Sequence, residues 1–501
     1  MAWLAHVGLG LALGLFGSGL AALVALTLFV DRVTVPACEK ATPAASDREA
    51  APFAFDPEER ARTFVRAMAD DDYETAYGML ALEQLGRSGL CEVGLEGFWR
   101  VVAAEHPDLI AIETFSPLAY DAASDHLRVV LRLSMRGNGQ SQESRRDAYT
   151  AINLTPDGRI GWFSYLSILT DLGPAPESPP PPYAPPGTFD AYRVTFGRAP
   201  WELDGTLTVP KGQGPFPAVV IIGPGGGFAG ESPNRWDRDV AQGLATHGVA
   251  SLRFAERSVT HALAAARRPT FTLAEEYVDD ALAAIGRLRL TPRVDPTRVY
   301  LLGISVASFA MPRIASLDPD LAGLVLISPS SGYVWDSAWR MQQEHAKVDR
   351  TVSESEQHSI EVLKARAAAI EAAARGDGDP KEHGVRIAYH LDLATYRPEN
   401  VARYLPIPMF VIFGDRVGVT PIEDHEAWLT SLRRRGDAAF RAYKGHVHGL
   451  FDVSKARPPA LRSVGHVDEE VMIDVAAWID GDWPELSCDE VEHWYAGCNG
   501  G

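Results

Sequence analysis

The residues best equipped for chemistry lie in Gly303-Ile304-Ser305-Val306-Ala307, where an apolar run from Val299 to Leu302 stops at a glycine and small residues lead into an apolar helical pattern. Strand, sharp turn and helix in that order expose a serine Oγ at a strand end, and the turn needs small residues two before and two after the serine. Gly303 meets that need, and Ala307 stands where a second glycine is usual. Such a serine becomes a nucleophile only with a base in hydrogen-bond reach, an acid orienting the base, and N–H donors for the oxyanion. Tyr443-Lys-Gly-His446-Val-His448-Gly follows the last predicted strand, and of its two histidines His448 is the favoured base. Asp415, directly after Gly414, is the nearest carboxylate at the end of the preceding predicted strand, with Asp424 next. The oxyanion donors are the amides of Gly225, in the run Gly223-Pro-Gly-Gly-Gly227, and of Val306. No Gly-Lys-Ser/Thr follows that run and its spacing is not dinucleotide-like, which excludes a phosphate cradle.

These groups need a scaffold that brings strand ends together. Residues 188–481 alternate short apolar strands with amphipathic helices: strands at 217–222, 250–254, 299–302, 324–328, 408–413 and 440–443, helices at 240–247 and 274–290. That alternation predicts an α/β domain with a doubly wound, largely parallel sheet, opened by antiparallel strands near 192–196 and 202–210. Residues 337–400 are charged, Ala-rich helical sequence, placed where an insertion would cover the carboxyl ends of the strands as a lid.

Ahead of this domain, residues 52–172 change from a helical period to a period of two, the pattern of a small α+β domain with an antiparallel sheet. None of its residues forms a catalytic set, so it reads as an accessory or docking domain. Residues 173–187, rich in proline, form a semi-rigid spacer. Residues 1–30 contain no Asp, Glu, Lys or Arg and are long enough to span a bilayer. Without a basic start, they read as an uncleaved anchor rather than a cleaved signal, with the catalytic part extracytoplasmic. The chain of 501 residues carries a net charge of −19, which argues against a nucleic-acid surface. Cys38, Cys91, Cys488 and Cys498 lack ligand spacing for zinc; Cys488 and Cys498, flanking a short loop of the 482–501 tail, are the expected disulfide pair.

Gly303-Ile-Ser-Val-Ala-Ser-Phe-Ala-Met-Pro-Arg-Ile-Ala, Ser251-Leu-Arg-Phe-Ala-Glu-Arg257, Thr272-Leu-Ala-Glu-Glu-Tyr-Val-Asp-Asp-Ala-Leu and Tyr389-His-Leu-Asp-Leu-Ala-Thr-Tyr together resemble bacterial α/β-hydrolases of the dienelactone-hydrolase and serine-aminopeptidase-like group. The 52–172 region resembles the cone-shaped nuclear-transport-factor-2-like domains found ahead of such hydrolases. The resemblance implies a carboxylic-ester hydrolase acting on a small ester or acyl substrate, with a Ser-Asp-His triad in the chain order nucleophile, acid, histidine, and no cofactor. Peptidase and thioesterase chemistry use the same machinery. Three departures stand out. Gly223-Pro-Gly-Gly replaces the family's His-Gly-x-Gly, Ala307 and Ser308 replace two glycines, and Gly414-Asp415-Arg416-Val417 places valine where a Gly-x-x-Asp pattern has its acid. An incomplete triad would leave a binding protein on a hydrolase scaffold.

Overall fold

The computed structural model describes residues 53–81, 95, 108–115, 118–122, 124–136, 145–165, 180–223, 235–268, 270–331, 354–377, 387–414, 422–452 and 466–482. The predicted anchor at 1–30, the four cysteines, Gly225 and Asp415 lie outside them. Among the described residues no helix is long and apolar enough to cross a membrane.

The N-terminal domain begins with α1 (Pro57–Ala69), started by Asp56, whose side chain accepts from the Glu59 amide at 3.0 Å, and by Pro57 in the first turn. Its buried face is Ala61, Phe64, Val65 and Met68, and α2 (Tyr73–Gly78) follows. Five strands complete the layer: β1 (Asp108–Thr114), β2 (Ala119–Asp121), β3 (His126–Arg136), β4 (Arg145–Leu154) and β5 (Ile160–Tyr165). They pair antiparallel in the order β1-β3-β4-β5, with β2 also on β3.

The second domain opens with β6 (Phe189–Phe196), β7 (Leu203–Pro210) and β8 (Phe216–Ile222). Next come α3 (Trp236–Thr246), β9 (Ala250–Phe254), and two short helices, α4 (Arg257–Thr260) and α5 (Ala262–Ala266). Where one helix is predicted from 274, the chain makes a π-turn (Ala274–Val278) before α6 (Asp279–Arg289). Then come β10 (Val294–Ile304), α7 (Val306–Leu317), β11 (Gly323–Ile327), α8 (Glu354–Ala374), α9 (Ile387–Ala394) and α10 (Pro398–Ala402). The domain ends with β12 (Met409–Gly414), α11 (Ile422–Leu432), β13 (Ala438–Tyr443) and α12 (Glu469–Asp480).

Its eight strands lie in the order β13-β12-β11-β10-β8-β9-β7-β6. They are parallel except where β7 meets β6 and β9. This crossover order, with the serine turn after the central strand β10, is that of the α/β-hydrolase fold. Both sheet faces are covered. Along β10, Val299 and Leu301 join the core under α6 and α7, whereas Tyr300, Leu302 and Ile304 join the core under α3 and α12. A strand apolar on both sides therefore reads as a continuous run instead of an alternation.

The lid region is described in part. Helix α8 buries Ile360, Ala367 and Ile370 and exposes Glu361 and Lys364, so its charged sequence covers one apolar stripe. The N-terminal domain shares a continuous core with the hydrolase domain. Tyr120 of β2 meets Phe271 edge-on at 5.7 Å, and the Arg267 guanidinium donates to the Phe53 carbonyl at 3.0 Å.

Candidate active site

Ser305 sits between β10 and α7 with φ 59° and ψ −123°, a conformation that costs a non-glycine residue about 1–3 kcal/mol and persists only when its surroundings enforce it. Several contacts do so. The Ser305 amide donates to the Ile327 carbonyl at 3.0 Å, and the Phe309 amide donates to the Ser305 carbonyl at 3.2 Å. The Ser308 hydroxyl, fully buried, donates to the Gly303 carbonyl at 2.6 Å and lies 3.3 Å from the Ile327 carbonyl. A Cβ on Gly303 would stand 2.7 Å from Met311 Sδ and 3.3 Å from the Ser308 amide. One of the departures from the resembled pattern thus acquires a role at both of its residues: Ala307 packs into the core, and Ser308 pins the turn to β10 and β11.

Val306 is the first residue of α7, where helix geometry leaves the amide without an intrahelical acceptor. Gly223, the last described residue after β8, lies beside the same strand end, since Gly303 pairs with Ile222.

The loop after β13 reaches back across the sheet. Gly414, ending β12, packs so closely beneath it that a Cβ would stand 2.5 Å from the His446 carbonyl and 2.6 Å from that of Val447. Beyond β12, the Ser328 hydroxyl donates to the His448 carbonyl at 3.1 Å. Ser328 directly follows Ile327, the residue that holds the Ser305 amide, so the backbone of His448 comes within one strand end of the serine turn.

The two loop histidines are held differently. His446 has both ring nitrogens engaged, Nε2 with the Asp468 carboxylate at 2.8 Å and Nδ1 with the Lys444 carbonyl at 3.0 Å. Asp468 also caps α12, so His446 fastens the loop to the fold. His448 is 5% exposed, and burial pushes its pKa down to about 4, which keeps the imidazole neutral, with a free lone pair, near neutral pH.

Asp424 lies in the first turn of α11, fully buried, where its Oδ1 accepts from the Ser331 hydroxyl at 2.8 Å. Its neighbour His425 was not singled out from the sequence. That ring lies against Phe413 with centroids 3.9 Å apart, and burial together with His448 pushes its pKa down to about 3.

A group of carboxylates beside the β8 and β9 ends also escaped sequence reasoning. Glu256 is 5% exposed and its Oε1 faces Gly223, 3.6 Å from where a Cβ would be. Burial, its first cause, and the charges of Asp280 and Asp237 raise its pKa to about 7. Glu276, on the π-turn, accepts from the hydroxyl of Tyr389 on α9 and is raised to about 8, mainly by burial. The nearby acids have cations: Arg257 donates to Asp280 through Nε at 2.8 Å and through its amide at 3.0 Å, and Arg253 meets Asp237 at 3.0 Å. Nothing in a lone Ala-Glu-Arg or Glu-Glu-Tyr string marks these glutamates as buried. Among the described residues no group of three His, Cys, Asp or Glu side chains is placed to hold a metal ion.

No family model matches the chain. Among solved structures it is similar to the carboxyl esterase TmelEST2 from the fungus Tuber melanosporum, with 15% identity over 60% of this chain and 88% of that one and a TM-score of 0.38. It is also similar to Est1E from Butyrivibrio proteoclasticus, with 17% identity over 58% of this chain and 98% of that one and a TM-score of 0.37. In sequence the chain is 27% identical over 435 residues to Esterase EstD of Thermotoga maritima, covering 85% of this chain and 95% of that protein, a span longer than the hydrolase domain that therefore takes in part of the N-terminal domain.

Proposed function

We propose that the chain is a carboxylic-ester hydrolase working through an acyl-enzyme on Ser305. The observation that carries this reading is the backbone of Ser305, held at φ 59° between the central strand and its helix by hydrogen bonds from both sides. The similarity to an esterase over most of the chain supports it. Ser305 Oγ attacks the ester carbonyl while His448 accepts its proton, and the carbonyl electrons move onto the oxygen. The amides of Val306 and Gly225 are the donors for that oxyanion. Collapse of the intermediate expels the alcohol, protonated by His448, and water repeats the sequence to release the acid.

Asp415 is our candidate for the acid orienting His448. It is bonded to Gly414, which touches the carbonyls of His446 and Val447, so the chain leaves β12 at the histidine loop itself. Asp424 is the second candidate, already engaged by Ser331. The anchor at 1–30 and an extracytoplasmic catalytic part complete the proposal.

Labelling of the purified protein with a fluorophosphonate, beside Ser305→Ala and His448→Ala, tests it. Labelling and ester turnover lost in both variants are expected. A folded wild-type protein that neither labels nor hydrolyses short esters would refute the reading and leave a binding protein on this scaffold. Asp415→Asn and Asp424→Asn identify the acid: loss of the orienting carboxylate typically lowers kcat on the order of 10⁴-fold.

A further inference from the structure

We propose that Glu256 is a specificity-determining residue: its carboxyl edges the substrate space beside Ser305 and selects esters that carry a cationic ammonium group. The inference rests on the reading of Ser305 as the nucleophile.

The sheet sets the placement. Gly223 follows β8, one step past the pair Ile222 and Gly303, and Ser305 stands two residues past Gly303 on the neighbouring strand. With strands about 4.8 Å apart and about 3.3 Å of rise per residue, Gly223 lies about 6 Å from the serine turn. On the other side of β8 runs β9, and Glu256 is two residues beyond its end. A Cβ on Gly223 would find, among the described residues outside its chain neighbours, one heavy atom within 4 Å: Glu256 Oε1, at 3.6 Å. The missing side chain thus leaves room beside the nucleophile, and a carboxyl borders it.

Little else engages that carboxyl. Glu256 directly precedes α4, where a side chain often caps the helix, yet it makes no cap hydrogen bond. Among the described residues no other side chain donates to it. The arginines on either side in the chain are paired elsewhere, Arg257 with Asp280 of α6 at 2.8 Å and Arg253 of β9 with Asp237 of α3 at 3.0 Å. Those two acids, with Glu276 and Tyr277 of the π-turn, are the other ionisable groups acting on it, and none of them is a cation. A carboxyl only 5% exposed and lacking a cation is unfavourable in its charged form, so burial raises its pKa to about 7. An ammonium group on a substrate supplies the missing cation, whereas an anionic group meets repulsion from the same wall.

The test uses acetylcholine and its uncharged carbon isostere, dimethylbutyl acetate, which separate charge from shape. The readout is the ratio of their kcat/KM values, which does not depend on how much of a variant is folded. At about pH 8.5 the wild type should favour acetylcholine about tenfold, and in Glu256→Gln the ratio should fall to about one. Because the carboxyl ionises as pH rises through about 7, the wild-type preference should be nearly absent at about pH 5.5, a change that the permanent charge of the choline group cannot itself produce. Glu276 ionises in a neighbouring range, at about 8, so a pH-dependent preference that persists in Glu256→Gln would belong to Glu276 and overturn the inference. A wild-type ratio near one at both pH values also overturns it, and that result needs no variant. A wild type that takes the fluorophosphonate but turns over neither ester is scored by how strongly each ester slows the labelling, with the same ratio expected. Labelling without charge preference removes this inference alone, whereas absence of labelling and turnover removes the esterase reading and this inference with it.

Discussion

Glu276 offers the sharpest check on the electrostatics of the site wall. Its carboxyl is buried on the π-turn, receives the Tyr389 hydroxyl from the lid side, and has Asp121, Glu256 and Asp280 as charged neighbours, all of its own sign. The folded protein therefore holds this carboxyl protonated up to a pKa of about 8, against 4.5 when exposed. Because the folded-state value is raised, the stability is complete below pH 4.5, where both states are protonated, and is lost as pH rises towards 8. A separation of about 3.5 units at 1.36 kcal/mol each gives an upper bound of about 5 kcal/mol, of which relaxation around the charge leaves roughly half. Glu276→Gln keeps an acceptor for Tyr389 and cannot ionise, but adds an amide whose own donors need partners, a cost of about 1–3 kcal/mol. Urea unfolding of both proteins from pH 4.5 to 9 should find the variant less stable at the acidic end and more stable at the alkaline end. The difference between them should change by about 2–5 kcal/mol across the range. A difference that stays flat with pH would refute the reasoning, because a Glu276 ionised in the folded state gains nothing from replacement.

Three further outcomes follow from contacts around the site. Gly414→Ala puts a methyl against two backbone carbonyls that have no rotamer to turn aside, so the histidine loop must shift; kcat of the protein that remains folded should fall about 10–100-fold, and an unchanged kcat would place the catalytic base elsewhere. Asp280→Asn leaves the buried Arg257 guanidinium, among the described carboxylates, with the exposed Asp279 at 3.5 Å and should cost about 3–5 kcal/mol, read as a lowered urea midpoint, whereas a loss under about 1 kcal/mol would show that the pair is solvated. Tyr120→Ala removes a fully buried ring that meets both Phe53 and Phe271, so it should cost about 3–5 kcal/mol; a wild-type midpoint would mean that the two domains do not share this core.

The parts legible in the sequence are those governed by one period or one turn. The central strands of the hydrolase sheet stand out as apolar runs because β8, β10, β11 and β12 are covered on both faces, and the serine turn stands out because Gly303 interrupts such a run. The antiparallel strands of the N-terminal domain were legible from their alternation, but the short β2 and the late β5 were not. The π-turn was missed for a different reason. It inserts one residue into a helix of unbroken apolar pattern, and it carries the buried Glu276. Burial of a glutamate is invisible in a sequence because it is a property of neighbours far along the chain: Tyr389 lies 113 residues from Glu276. His425 was overlooked for the same reason, as its burial against Phe413 joins positions that no local pattern connects. Between His446 and His448, the decisive fact is equally non-local, since Asp468 engages the first.

These long-range relations bear on the N-terminal domain. The sequence suggests an accessory unit on a proline-rich spacer, which would leave the hydrolase free to work alone. In the folded chain the far end of that spacer is tied down, because the Tyr183 hydroxyl donates to the Val467 carbonyl at 2.7 Å, beside the cap of α12. At the opposite edge, β2 packs on α4 and α5 and places Tyr120 against Phe271, just before the π-turn. Arg257, in the first turn of α4, binds Asp280 in the first turn of α6, so the helices under the N-terminal domain also brace the segment that presents Glu276. Asp121 of β2 acts on Glu276 directly through its charge. The N-terminal domain thus packs against the segment that carries Glu276 and shares a core with the hydrolase domain, which is closer contact than a spacer-borne unit would make.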